Sequence, residues 1–290
     1  VGLTKTSAGT LILSGTSNTY TGATTISGGT LQLNASNQIT DTSDVSIASG
    51  ATLQFGSGSL SETIGSLSGS GTLGLNTSAL TTTNSTADTT FSGTITGGTG
   101  GTLTKAGTFA LTLDSANTYT GATTVSAGAL IVRNSAALGS ASTGNTIASG
   151  AALHLGGGVT VTETDFTVSG TGVSSDGAIR NVDGANTLAS TINLTGATTV
   201  TNAGGTLALS GTVGLGANTL TVVGGSGTTF SGSIQGSGGY TQTSGTVTFS
   251  GSSANTYTGT TNVTSGTLSL GKTAGVNALA GGAINIGSGA

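Results

Sequence analysis

One nine-residue string recurs three times and constrains this chain more than any other feature. Asn18-Thr19-Tyr20-Thr21-Gly22-Ala23-Thr24-Thr25-Ile26 returns as Asn117-Thr118-Tyr119-Thr120-Gly121-Ala122-Thr123-Thr124-Val125, and again as Asn255-Thr256-Tyr257-Thr258-Gly259-Thr260-Thr261-Asn262-Val263. Each copy lies between alternating apolar pairs. Leu11/Leu13, Leu111/Leu113 and Val247/Phe249 precede it, and Leu31/Leu33, Leu130/Val132 and Leu268/Leu270 follow it. The outer flanks repeat as well: Leu3-Thr4-Lys5 matches Leu103-Thr104-Lys105 and, more loosely, Tyr240-Thr241-Gln242. Self-similarity of this kind signals stacked units rather than one closed globular core.

A finer step runs inside the long one. Apolar pairs begin at residues 11, 31, 53, 73, 111, 130 and 153, so the gaps are 20, 22, 20, 38, 19 and 23. The longest gap is a double step, with Phe91/Ile95 on the missing beat. Pairs such as Leu53-Gln54-Phe55 and Leu153-His154-Leu155 have the period of a strand with one buried face, and Gly, Asn and Ser gather between them as turns. About 20 residues with two or three short strands cannot enclose a core, but they can wind once around an axis and rest on the previous winding. The pattern therefore predicts an all-β, single-stranded parallel β-helix with about 20 residues per rung. With neighbouring strands about 4.8 Å apart, 290 residues would make roughly 14 rungs and a rod of roughly 65 Å. No window keeps apolar residues at helical spacing, so helices are not expected.

The composition fits this reading. There are 54 glycines and no Pro, Cys, Met or Trp. A narrow bore takes Leu, Val, Ile and Ala, while Thr and Ser suit an exposed pleat. Proline would remove a ladder hydrogen bond wherever it fell in a strand. Five basic residues against nine acidic ones, without a Lys/Arg cluster, exclude a nucleic-acid partner. Polar residues interrupt every apolar run well before the roughly 20 residues of a membrane helix, and four Tyr and six Phe do not make the girdles of a membrane barrel. Absence of cysteine does not choose a compartment, but a surface of Ser, Thr, Asn and Gly with few charges leans toward the cell exterior.

Residues 286–290 repeat the pattern of 47–51 and 147–151. The chain is therefore expected to be one continuous solenoid segment, 1–290, of a longer protein, with repeat units of approximately 1–100, 101–238 and 239–290, the last truncated.

Phe91-Ser92-Gly93-Thr94-Ile95, Gly101-Thr102-Leu103-Thr104-Lys105, Ala110-Leu111-Thr112-Leu113, Asn117-Thr118-Tyr119-Thr120-Gly121 and Ala127-Gly128-Ala129-Leu130, in that order, closely resemble the passenger-associated transport repeat, also called the autotransporter-associated β-strand repeat. The copies around Tyr20 and Tyr257 match less completely, and residues from about 153 to 227 share only a general solenoid style. The resemblance implies a surface passenger of a bacterial type V secretion system, folding as a right-handed β-helix outside the outer membrane, with the repeat assisting export and folding. It also implies a C-terminal translocator barrel in the same polypeptide as a partner. The repeat-motif residues are Tyr20, Gly22, Leu31, Leu33, Leu103, Leu111, Leu113, Tyr119, Gly121, Leu130, Tyr257, Gly259, Leu268 and Leu270.

Candidates for chemistry are few. His154, the only histidine, sits at an outward position without ligands close in sequence and reads as solvated. Glu163 and Asp165 have the spacing of a carboxylate pair on one strand face, as in β-helical polysaccharide-cleaving enzymes, but read as a solvated edge. Asp176-Gly177 and Asp183-Gly184 read as turns rather than as a calcium site. The recurring tyrosines read as corner packing rather than sugar-stacking faces. Thr160/Thr162, Thr246/Thr248 and Thr258/Thr260 are too irregular in spacing for an ice-binding face. No catalytic, cofactor or metal residue is assigned. The leading expectation is a non-enzymatic stalk or adhesive rod at the bacterial surface, facing a host or glycan surface. A self-associating extracellular fibre or biofilm matrix protein is the alternative, and a polysaccharide-processing enzyme using residues 163–166 the lesser one.

Overall fold

A computed structural model describes residues 1–15, 18–140, 144–163 and 165–290. They form two compact units, Val1–Thr143 and Gly144–Ala290. Both are parallel β-solenoids, with about 13 turns of some 21 residues between them. The predicted fold class holds, and the step per turn is slightly longer than expected.

In the first unit three columns of parallel strands surround a narrow core. The first column stacks Leu3–Lys5, Thr24–Ile26, Asp44–Ile47, Ser66–Gly69, Thr89–Phe91, Leu111–Leu113 and Gly128–Val132. The second stacks Thr10–Leu13, Thr30–Leu33, Thr52–Phe55, Thr72–Gly74 and Thr94–Thr96. The third holds Ser61–Ile64, Ala79–Thr82, Thr102–Lys105 and Thr123–Val125. Alternation builds these strands: Leu31, Leu33, Leu53 and Phe55 are buried, while Gln32 and Gln54 between them point out.

Corners are sharp because successive turns touch there through backbone. A methyl group on Gly93 would strike the carbonyl oxygen of Gly71 on the turn before, so neither alanine nor anything larger fits. This contact also explains the missing beat at Phe91/Ile95. Ser92-Gly93 is a corner, and the two apolar residues belong to strands of different columns.

The second unit repeats the plan. One column runs through Ala151–Leu155, Ile179–Asn181, the second half of Thr191–Asn202, Leu220–Gly224, Tyr240–Gln242, Thr261–Ser265 and Ile284–Gly289. Another runs from Thr160–Val161 through Ala185–Leu188, Thr206–Leu209, Ser226–Phe230 and Thr246–Gly251 to Thr267–Lys272. The third contains Asn145–Ile147, Asp165–Gly170, the first half of Thr191–Asn202, Val213–Gly214 and Ile234–Gln235. Its core includes an edge-to-face aromatic cluster, with Tyr240 and Phe249 ring centroids 5.0 Å apart and Phe230 5.7 Å from Phe249. The coil is interrupted at 171–177, where Val173–Ser175 makes one 3-10 turn and Ser174 and Ser175 hold φ of 52° and 64°. No helix among the described residues is long and apolar enough to cross a membrane.

Candidate functional site

The recurring string and its flanks are the best-organised feature of the chain, and nearly all their signature side chains turn inward. Tyr119 and Tyr257 are buried and Tyr20 is half-buried. Each tyrosine hydroxyl meets the threonine four residues on: Thr24 at 3.0 Å, Thr123 at 2.7 Å and Thr261 at 2.7 Å. The expected corner packing is thus observed, with a hydrogen bond that satisfies the one polar atom of a buried ring. Gly22, Gly121 and Gly259 donate their N–H to Val1, Gly101 and Gly238 of the previous turn, at 3.0, 3.0 and 3.2 Å. A side chain at any of them would collide with that turn's backbone. Leu31, Leu33, Leu103, Leu111, Leu113 and Leu130 are fully buried. Leu268 is half-buried and Leu270 is 53% exposed, because their strand is the last of its column and has a neighbour on one side only. For the same reason Leu11, on the first strand of its column, is 37% exposed.

Two further motif positions escaped the sequence reading. The asparagine that opens each string bridges turns through its side chain. Asn117 Oδ1 accepts the Ile95 N–H at 2.7 Å while its Nδ2 donates to the Ala137 carbonyl at 2.5 Å. Asn255 does the same between Ile234 (2.9 Å) and Ala278 (2.7 Å), and Asn18 Nδ2 reaches the Gln38 carbonyl at 2.8 Å. One amide thus supplies a donor and an acceptor to neighbouring turns where no strand pairing does so.

The second position is the polar residue that ends the upstream flank. Lys105 is fully buried, and its ammonium donates to the carbonyls of Ala106 (2.6 Å), Gly107 (3.0 Å) and Ala127 (3.1 Å). Lys5 donates to Ser7 and Gly28, and Gln242 Nε2 donates to Gly245 and Thr267. Burial lowers the Lys105 pKa to about 8, against the attraction of Asp88.

Glu62 was not singled out either, although alternation in Leu60-Ser61-Glu62-Thr63-Ile64 places it on the inward side. Its buried carboxylate accepts the N–H groups of Gln38 at 2.8 Å and Ile39 at 2.9 Å. Burial raises its pKa to about 7, those two hydrogen bonds oppose the rise, and Asp41 adds to it.

The copies face different ways. In the first unit, one copy passes from the first column (Leu3–Lys5) to the second (Thr10–Leu13), whereas the next passes from the third (Thr102–Lys105) to the first (Leu111–Leu113). From Leu3 to Leu103 is 100 residues, which at some 21 per turn falls short of five whole turns. The repeat therefore does not paint one lateral face.

Two isolated candidates need correction. His154 is not solvated: it is half-buried, its Nε2 is closed off from water without a partner, and it stands in register with Arg180. Burial, joined by repulsion from Arg180 and opposed by Asp176, lowers its pKa to about 4. Glu163 is no solvated edge but is 3% exposed, with its pKa raised by burial. It lies outside the strand that Asp165 opens, so the two carboxylates do not share a strand face. Residue 164 between them is outside the described residues. Asp165 accepts the Gly144 N–H at 3.0 Å.

Asp176 pairs with Arg180, and Asp183 accepts the Gly157 N–H at 2.6 Å. Gly177 and Gly184 hold φ of 111° and 80°, in keeping with turn chemistry. Among the described residues no three His, Cys, Asp or Glu side chains form a metal-binding group. Thr246 and Thr248 share a strand, but Thr162, Thr258 and Thr260 lie outside any. Outward hydroxyls are nevertheless in register on other strands, as Thr10, Thr30, Thr52, Thr72 and Thr94 show.

Three stretches match the passenger-associated-transport-repeat family: residues 3–33, 103–132 and 244–270. No curated protein and no solved structure matches the chain. The matched stretches contain the tyrosine–threonine pairs and the inter-turn asparagines, with the corner lysines in the first two. This is a β-solenoid chain that carries passenger-associated transport repeats at three positions.

Proposed function

We propose that the chain is a non-catalytic length of autotransporter passenger, a stalk or adhesive rod outside the bacterial outer membrane, whose repeats help the coil form as it is exported. The single observation that carries this reading is the inward orientation of the repeat. Its Asn, Gly and Lys/Gln positions bind neighbouring turns, its Tyr packs inward against a threonine of its own turn, and its two copies in the first unit point in different directions, so they serve the coil rather than an external ligand. A translocator barrel is the partner this requires. The test is surface display of the chain between a secretory signal and a translocator barrel, in a host with an outer membrane. Asn18→Ala, Asn117→Ala and Asn255→Ala combined should lower the displayed, protease-resistant fraction several-fold while the barrel still inserts. Unchanged display would overturn the reading.

A second reading is self-association into a fibre: five Lys/Arg and nine Asp/Glu in 290 residues leave few charges to oppose contact between copies. Sedimentation would settle it. Concentration-dependent assembly supports it, and a monomer at every concentration removes it.

A further inference from the structure

The corner after Thr102–Lys105 has the geometry of an ion site. Three carbonyl oxygens, from Ala106 and Gly107 on one turn and Ala127 on the next, converge within 2.6 to 3.1 Å of one positively charged nitrogen. That nitrogen has three protons for three acceptors, so its hydrogen bonding is complete. No carboxylate enters this set: Asp88 acts on Lys105 only through space, and its Oδ1 accepts the Ala110 N–H at 2.8 Å. Positive charge is therefore met by backbone dipoles rather than by an ion pair.

The cage belongs to the backbone of the corner. Both turns are made by a glycine at positive φ, Gly107 at 75° and Gly128 at 63°. The equivalent corner of the first copy gathers the carbonyls of Ser7 and Gly28 around Lys5. In the third copy the neutral amide of Gln242 serves Gly245 and Thr267. What recurs is a demand for a donor at a cluster of inward carbonyls, answered once by an amide and twice by an ammonium.

We infer that this corner is a monovalent-cation site of the ammonium and potassium class, formed by the carbonyls of Ala106, Gly107 and Ala127 and filled in the native chain by the tethered Lys105 ammonium. Neutral carbonyl oxygens without a carboxylate suit a single positive charge, as in carbonyl-lined potassium sites, whereas divalent ions call for anionic ligands. Burial works against charge here, as the lowered Lys105 pKa shows. What a cation contributes is therefore the pairing of three carbonyls that would otherwise lack a donor, and it ties two successive turns because those carbonyls come from both.

The test is thermal unfolding of the full chain in ammonium, potassium and tetramethylammonium chlorides at one ionic strength. Lys105→Ala should melt well below the native chain in tetramethylammonium, whose methyl groups exclude it from the cage, and recover at least half of the lost Tm in ammonium or potassium. The native chain should show no such selectivity. Lys105→Gln, which installs the donor of the third copy, should fold and melt alike in all three salts. Equal melting of Lys105→Ala in the three salts would overturn the inference, as would failure of this variant to fold even in ammonium or failure of Lys105→Gln to fold at all. A Lys105→Met variant as stable as the native chain would also overturn it, since the carbonyls would then need no cation.

Discussion

The two units solve the same problem with different chemistry. Each must satisfy main-chain groups that face inward at the corners of a narrow coil, where water cannot reach. The first unit adds charge to amides such as Asn117: the ammonium groups of Lys5 and Lys105 cover carbonyls, and the Glu62 carboxylate covers two N–H groups. The second relies mainly on neutral amides, although the Lys272 ammonium also donates to the Gly232 carbonyl. Asn181 Nδ2 reaches Asn202 Oδ1 at 2.8 Å and the Thr206 carbonyl at 3.2 Å, Asn186 donates to Asn181, and Gln242 serves Gly245 and Thr267. It also fills its bore with an aromatic cluster. One fold therefore tolerates either device for the main-chain groups at its corners.

The sharpest way to break the second unit is through that cluster. Phe249 is fully buried, between Phe230 and Tyr240. Phe249→Ala should cost about 3 to 5 kcal/mol and show in denaturant unfolding. Hydrogen exchange should locate the loss in residues 220–270 and leave the first unit's amides protected, since solenoid stability is a nearest-neighbour property. Breaking an amide relay comes next. Asn181→Ala strands the carboxamide oxygen of Asn202 and several carbonyls, so about 2 to 3 kcal/mol should go, and by the same amount at pH 5 and pH 9. Any pH dependence of that loss would blur the distinction between the units.

Charge in the first unit makes the opposite forecast. The folded pKa of Glu62 is raised to about 7 from 4.5. Its contribution to stability is therefore fully present below pH 4.5 and is lost as pH rises through 7. The folded pKa of Lys105 is lowered to about 8 from 10.5. The unfolded chain then holds the extra proton between those values, so stability rises with pH from about 8 to 10.5. Together they predict a shallow stability minimum near pH 7 to 8 in the first unit, where many proteins have their maximum. Glu62→Gln should flatten the acidic limb and leave the alkaline limb intact, as measured by amide exchange of Gln38 and Ile39 and by chemical denaturation across pH. In the second unit, the lowered His154 makes stability rise with pH between about 4 and 6.5, while the raised Glu163 acts in the opposite sense above pH 4.5, which should leave a flatter profile.

The parallel solenoid and its step were legible because they depend on period-two alternation and on spacing, which survive in a single sequence. Tyrosine packing was legible for the same reason, since Tyr20, Tyr119 and Tyr257 recur at one phase. The roles of Lys105 and Glu62 were not. An inward lysine and an outward one look identical until the register places one at a corner whose carbonyls need donors. Glu62 left a signal, an acidic residue on the apolar side of an alternating strand. His154 and Glu163 misled in the opposite direction, because polarity suggested water and the coil gave them burial. The differing orientation of the copies depends on the remainder after dividing 100 residues by the true turn length, and an error of one residue per turn is enough to hide it.

The smallest effect separates copies that share a sequence. Tyr119 and Tyr20 make the same hydrogen bond, to Thr123 and Thr24, but Tyr119 is fully buried and Tyr20 only half so. Tyr119→Phe removes, from a fully buried pair, a hydrogen bond that water cannot replace, so about 1 kcal/mol should be lost. Tyr20→Phe should cost a few tenths at most, because solvent can take over from the hydroxyl. Paired denaturant titrations of the two variants resolve the difference. Equal losses at Tyr20 and Tyr119 would mean that the motif contributes through its sequence alone, independent of the depth at which the coil places it.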